Sequence, residues 1–107
     1  TQAIETPNAE WLPYITAKTA LHGFGKALAV ELAGKGIRIN MISPGMTETD
    51  LIADIPEKAR LVTAAKTPLR RLAKPGDIAS AISFLASDKS DFITGETLRI
   101  NGGQVMI

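Results

Sequence analysis

The chain has 107 residues, enough for one domain with a modest core. Its 45% hydrophobic and 21% charged residues suit a globular protein, and a net charge of +1 without basic blocks argues against nucleic acid or an anionic membrane as partner. Cysteine is absent, which excludes disulfides and thiolate metal sites, and no apolar run approaches the roughly 20 residues of a bilayer span.

Residues 1–13 are polar and carry Pro7 and Pro13, so they predict a loop. The chain opens on Thr1 in mid-loop, and the expectation is a segment of a longer protein. From Tyr14 the residues Ala17, Ala20, Leu21, Phe24, Ala27, Leu28 and Glu31 or Leu32 recur at helical spacing and predict a helix. Pro13 suits the first turn of that helix, and "GKG" at 34–36 ends it. "IRINMIS", 37–43, alternates Ile37, Ile39 and Met41 with polar residues and predicts a strand, which Pro44-Gly45 closes. Ile42 gives that strand a second apolar face, as in a sheet covered on both sides.

"MTETDLIADIP" predicts a loop with a short helical turn, with Thr49 as cap, and 56–66 a helix with Pro56 in first position. A connector holding Arg70 and Arg71 leads to a helix over 75–87, with Ile78, Ala81, Ile82 and Leu85 on one face. The pair Arg70 and Arg71 suits a solvated connector better than a phosphate site. A turn-rich link precedes a strand at 97–101, closed by Gly102-Gly103. Two strands joined by a long helical crossover lie parallel, which is α/β architecture. Two strands leave a sheet unfinished. The fold class is therefore the C-terminal half of a doubly wound parallel-sheet (Rossmann-like) domain, with residues 1–107 as one unit.

The chemistry concentrates in "YITAK", 14–18. Positions i and i+4 of a helix share a face, about 5–6 Å apart at Cβ. A tyrosine has a pKa near 10, and a nearby ammonium favours its phenolate. Tyr14 with Lys18 one turn on is therefore a workable acid/base pair. By itself the pair fits a solvated helix face better than chemistry. His22, the single histidine, follows one turn later with no second ligand in sight, and packing accounts for it better than a metal. Gly23 and Gly25 cost about 1 kcal/mol each in a helix interior, which predicts close approach of another backbone.

Context strengthens the pair. "YITAKTALHGFGKALAVELAGKGIRINMISPGMTETDL" and "PLRRLAKPGDIASAISFLASDKSDFITGETLRINGG" resemble the short-chain dehydrogenase/reductase family in order and spacing, from Trp11 to Gly103. The flavour is that of the branch containing 3-oxoacyl-acyl-carrier-protein reductases. The resemblance implies an NAD(P)-dependent oxidoreductase interconverting a carbonyl and an alcohol, with Tyr14 as acid/base and Lys18 on the nicotinamide ribose. It further implies Pro44 and Gly45 as the wall beside the nicotinamide, and Thr47 at its carboxamide. Thr49 would reach the carboxamide or the phosphates. The segment from Thr47 to Thr67 would cover the substrate, small or acyl-carrier-bound. The cofactor would be NADP or NAD, the location cytoplasmic, and the helix from Tyr14 would pair with its mate in a homodimer or homotetramer.

Departures are equally specific. No serine occurs before Ser43, whereas the family's catalytic serine precedes its tyrosine; either Thr1 takes that place or the serine lies upstream. The glycine-rich phosphate loop is missing, and "GFGKALAVELAGKG" is no substitute because its glycines sit within a helix. A rival reading is a non-catalytic assembly module that self-associates through the Tyr14–Leu32 helix.

Overall fold

A computed structural model describes residues 1–107. Helix α1 runs Leu12–Ala33, strand β1 Met41–Pro44, helix α2 Glu57–Lys66, helix α3 Pro75–Ala86 and strand β2 Thr97–Ile100. Short 3₁₀ turns occupy Gln2–Ile4, Asp50–Ile52 and Asp88–Ser90. The strands pair in parallel with Met41 opposite Thr97 and Pro44 opposite Ile100, as the long crossover requires. The first 3₁₀ turn falls where only loop is predicted. It is held to β2 by Arg99, whose Nε donates to Glu5 Oε1 at 2.8 Å. The Glu5 side chain is 8% exposed, so this pair fastens the approach to α1 onto the sheet.

Helix α1 begins as the sequence predicts, with Pro13 in its first turn, where a missing N–H costs nothing. It ends where Gly36 takes φ +75°, a region open to glycine at no steric cost. Of its periodic residues, Ala17, Ala20, Leu21, Phe24 and Ala27 are exposed, with Phe24 61% exposed, and Leu28 is half-buried. Inward are Lys18, His22, Gly25 and Ala29. The reason is local fit: a Cβ on Gly25 would sit 2.5 Å from Met41 Sδ, so the missing side chain is what admits β1. The close approach at Gly25 is thus to a side chain, not a backbone, and Gly23 faces open space within this chain.

The first strand is also corrected, to Met41–Pro44 rather than 37–43. Opposite Ile37–Asn40 the chain is a turn containing Gly95 at φ +76°, which leaves one backbone bond there, from Gly95 N to the Ile39 carbonyl at 2.7 Å. Side chains supply the rest. Asn40 Nδ2 donates to the Ile93 carbonyl at 2.9 Å, while its Oδ1 accepts from Glu96 N at 3.1 Å. Arg38 donates to the carbonyls of Leu85, Ser87 and Ile93 and to Ser90 Oγ.

The two connector arginines close helix ends. Arg70, at φ +61°, donates to the Ala65 carbonyl at the end of α2. Arg71 grips Asp77 through two bonds of 2.7 and 3.2 Å, and Asp77 accepts from Lys74 N at 2.7 Å in the first turn of α3. The Arg71 bond, then the Lys74 N–H, lower the Asp77 carboxyl from 3.8 to about 2. A folded-state value below the ordinary one contributes stability above the carboxylate range and loses it as pH falls through about 2. We expect the Asp77 carboxyl carbon to titrate near that value by NMR. In Arg71→Leu it should return toward 3.8. An unmoved midpoint in the variant would exclude the guanidinium as cause.

Only eight of the 107 residues are buried, too few for a self-contained core. The radius of gyration, 15.2 Å, exceeds the about 13 Å of a compact domain this long. Leu21, Phe24 and Val30 on α1, Phe92 before β2 and Leu98 on β2 all stand exposed.

Candidate functional site

An open cavity of about 930 Å³ lies along the amino-terminal half of α1, against the carboxyl end of β1. All six predicted site residues, Tyr14, Lys18, Pro44, Gly45, Thr47 and Thr49, line it. Two elements bring them together. The helical repeat places Tyr14 and Lys18 on one face, and the end of β1 delivers the Pro44–Thr49 loop beside them.

Tyr14 is 46% exposed and stacks edge-on with Trp11, ring centroids 6.0 Å apart at 73°. Lys18 Nζ lies 5.7 Å from the Tyr14 ring centroid, within cation–π range. Lys18, a residue of intermediate exposure, takes part in neither of the chain's two ion pairs. A cation without a protein anion suits a polar, hydroxylated ligand.

The loop after β1 is pinned from both sides. Gly45 N donates to the Ile100 carbonyl at 2.9 Å, and Ala73 N to the Met46 carbonyl at 3.1 Å. Glu48 N donates to the Ala73 carbonyl at 2.9 Å, so Thr47 forms a single bridge with Ala73. Thr47 Oγ1 folds back onto the Gly45 carbonyl at 3.0 Å. Thr49 stands ahead of the Asp50–Ile52 turn in extended backbone, but its side chain makes no cap bond. The expected capping role is therefore corrected: the hydroxyl stays free on the cavity wall.

Thr1 lines the same cavity. Lys18 lines it as well. His22 faces Thr97 Oγ1 across 3.4 Å. Sequence reasoning missed the cavity's floor at Gln2–Ile4, because nothing in "QAI" signals a turn fastened through Glu5. It also missed the apolar side made by Ile52, Ile55, Ile78 and Ile82.

This is an α/β half-domain whose site gathers at the carboxyl end of a parallel strand, the position open sheets favour for ligands. The family model described as enoyl-(acyl carrier protein) reductase matches residues 2–104. A 3-oxoacyl-[acyl-carrier-protein] reductase of Vibrio cholerae is 44% identical over 100 residues, 94% of this chain and 41% of that protein. Among solved structures, a short-chain dehydrogenase/reductase of Brucella melitensis, titled glucose/ribitol dehydrogenase, superposes with TM-score 0.92 at 39% identity. The match covers 98% of this chain and 42% of that one. A 3-oxoacyl-[acyl-carrier protein] reductase of the same organism gives TM-score 0.82 at 35% identity, over 88% and 35% of the two chains. The chain belongs to the short-chain dehydrogenase/reductase family, and it spans about two-fifths of the length of these relatives. No helix is long and apolar enough to cross a membrane.

Proposed function

We propose that residues 1–107 are the C-terminal portion of a cytoplasmic NADP- or NAD-dependent oxidoreductase that interconverts a carbonyl and an alcohol. The observation that carries this reading is the convergence of Tyr14, Lys18 and the Pro44–Thr49 loop on one cavity. Tyr14 gives its hydroxyl proton to the substrate oxygen as charge develops there, and takes it back in the reverse direction. Lys18, with no anion of its own, holds the nicotinamide ribose hydroxyls. Pro44 and Gly45 form the wall beside the nicotinamide ring. Thr47 meets the carboxamide through its backbone, since its hydroxyl is spent on Gly45, and the free Thr49 hydroxyl reaches the carboxamide or the phosphates. The nicotinamide, when bound, supplies hydride from C4. The hydroxyl that partners Tyr14 is either Thr1 or a serine upstream of it.

The substrate we favour is a β-ketoacyl thioester, as the named relatives suggest, with its chain against Ile52, Ile55, Ile78 and Ile82. The test is loss of nicotinamide absorbance when the complete protein meets a β-ketoacyl thioester. Consumption of an enoyl thioester instead would move the reading to double-bond reduction. No consumption of either would sink it.

Self-association is the second part of the proposal. Leu21 and Phe24, about 60° apart on the helix and flanked by Ala17 and Ala20, form an unpartnered apolar face on α1, which a homodimer or homotetramer would cover. Phe24→Asp should shift the complete protein to a smaller species in size-exclusion chromatography. An unchanged elution volume would contradict the interface. The assembly-module reading accounts for this face but leaves the unpaired Lys18 and the six converging residues unexplained.

A further inference from the structure

The turn after β2 carries a side chain that touches two residues of the cavity wall, Gln2 and Gly45, and the end of α2 at Thr67. Asn101, 9% exposed, shapes the turn: its Nδ2 donates to the Val105 carbonyl and its Oδ1 accepts from Gly103 N, both at 3.0 Å. The turn presents Gln104, and both ends of that carboxamide are used. Nε2 donates to Thr67 Oγ1 at 2.7 Å, and Oε1 accepts from Gln2 Nε2 at 3.0 Å. Thr67, 2% exposed, passes the chain on by donating to the Thr63 carbonyl at 2.7 Å in the last turn of α2. Gly45 lies under the same amide, for a Cβ there would sit 3.0 Å from Gln104 Oε1.

The chain of bonds has one direction. The Thr67 hydroxyl gives its single proton to Thr63, so it must accept from the Gln104 NH₂ group. The Gln104 oxygen is then turned to Gln2, which lines the same cavity as Tyr14. Buried amides and hydroxyls carry a desolvation cost unless matched, so these bonds favour this setting of the segment. Nothing in "NGGQ" announces it: the bonds span 102 positions to Gln2 and 37 to Thr67.

We propose that Gln104 is a positioning residue that latches the segment from Thr47 to Thr67 over the cavity, and so sets how tightly substrate is enclosed. The latch is independent of the chemistry; that its cavity holds a carbonyl substrate rests on the reductase reading above. Gln104→Met keeps the side chain's bulk and removes both bonds. Thr67→Val breaks the same link from the other side, and Thr67→Ser keeps it.

In the complete protein, hydrogen exchange of the α2 amides should quicken about tenfold in Gln104→Met and in Thr67→Val, and no further in the double variant. Thr67→Ser should stay within about twofold of the parent. With a β-ketoacyl thioester, Gln104→Met should raise KM about tenfold while kcat holds within about twofold. Unchanged exchange in Gln104→Met, additive effects in the double variant, or faster exchange with unmoved KM would each overturn the latch. If the parent proves inactive on carbonyls, the reductase reading fails alone and the exchange result still decides the latch.

Discussion

Replacing Tyr14 by phenylalanine in the complete protein is expected to lower kcat by about 10³-fold or more while leaving nicotinamide affinity within about threefold. The substitution removes one oxygen. The ring keeps its edge-on contact with Trp11 at 6.0 Å and its place 5.7 Å from Lys18 Nζ, so neither α1 nor the ammonium has cause to move. What is lost is the proton donor at the substrate oxygen, and a 10³-fold loss corresponds to about 4 kcal/mol of transition-state stabilisation. The split between kcat and cofactor affinity is the diagnostic. A merely structural tyrosine would lose both together, and turnover near the parent's would remove Tyr14 from the chemistry.

Gly102→Val is expected to destabilise the fold by about 3 kcal/mol, the sum of a side chain forced to positive φ and of overpacking. Gly102 sits at φ +61°, and a Cβ there would lie 2.7 Å from Thr67 Cγ2. Thr67 cannot withdraw, being buried and bonded to both Gln104 and Thr63. The same turn holds Leu69, whose N–H donates to the Gly102 carbonyl at 3.2 Å. Urea unfolding of the complete protein would show the loss as a lower midpoint at unchanged slope. Gly76→Ala is the control: it lies in the first turn of α3 with open space around its Cβ position, and its midpoint should not fall. An unmoved midpoint in Gly102→Val would mean that the turn is not clamped against Thr67.

Much of the fold was legible because its signals are local. Pro75 and the Ile78–Leu85 face announce α3, and alternation followed by Gly102-Gly103 announces β2. The candidate site was legible in part: the helical repeat fixes Tyr14 and Lys18 to one another, whereas Pro44, Gly45, Thr47 and Thr49 entered only through the family resemblance, the residues by themselves giving no more than a strand-ending turn. What stayed hidden depends on distant partners. Periodicity finds an apolar stripe on α1 but cannot say that Gly25, by admitting Met41, turns the other face inward. Ile37, Ile39 and Met41 alternate as a strand should, yet the segment opposite turns at Gly95 and most of the ladder gives way to side-chain bonds from Arg38 and Asn40. Arg70 and Arg71 look like free cations until the helix ends they close are in view. Composition likewise promises a core, whereas Leu21, Phe24 and Val30 spend their apolar surface facing out.

The central step is hydride delivery to a carbonyl carbon in the cavity beside Tyr14. The most direct measurement is a turnover of the complete protein with a β-ketoacyl thioester and reduced nicotinamide cofactor carrying deuterium at both C4 positions, followed by mass analysis of the product. The expected result is a hydroxyacyl product carrying a single deuterium on its carbinol carbon, formed by the parent and not by Tyr14→Phe. An unlabelled product, or equal labelling by both proteins, would contradict it.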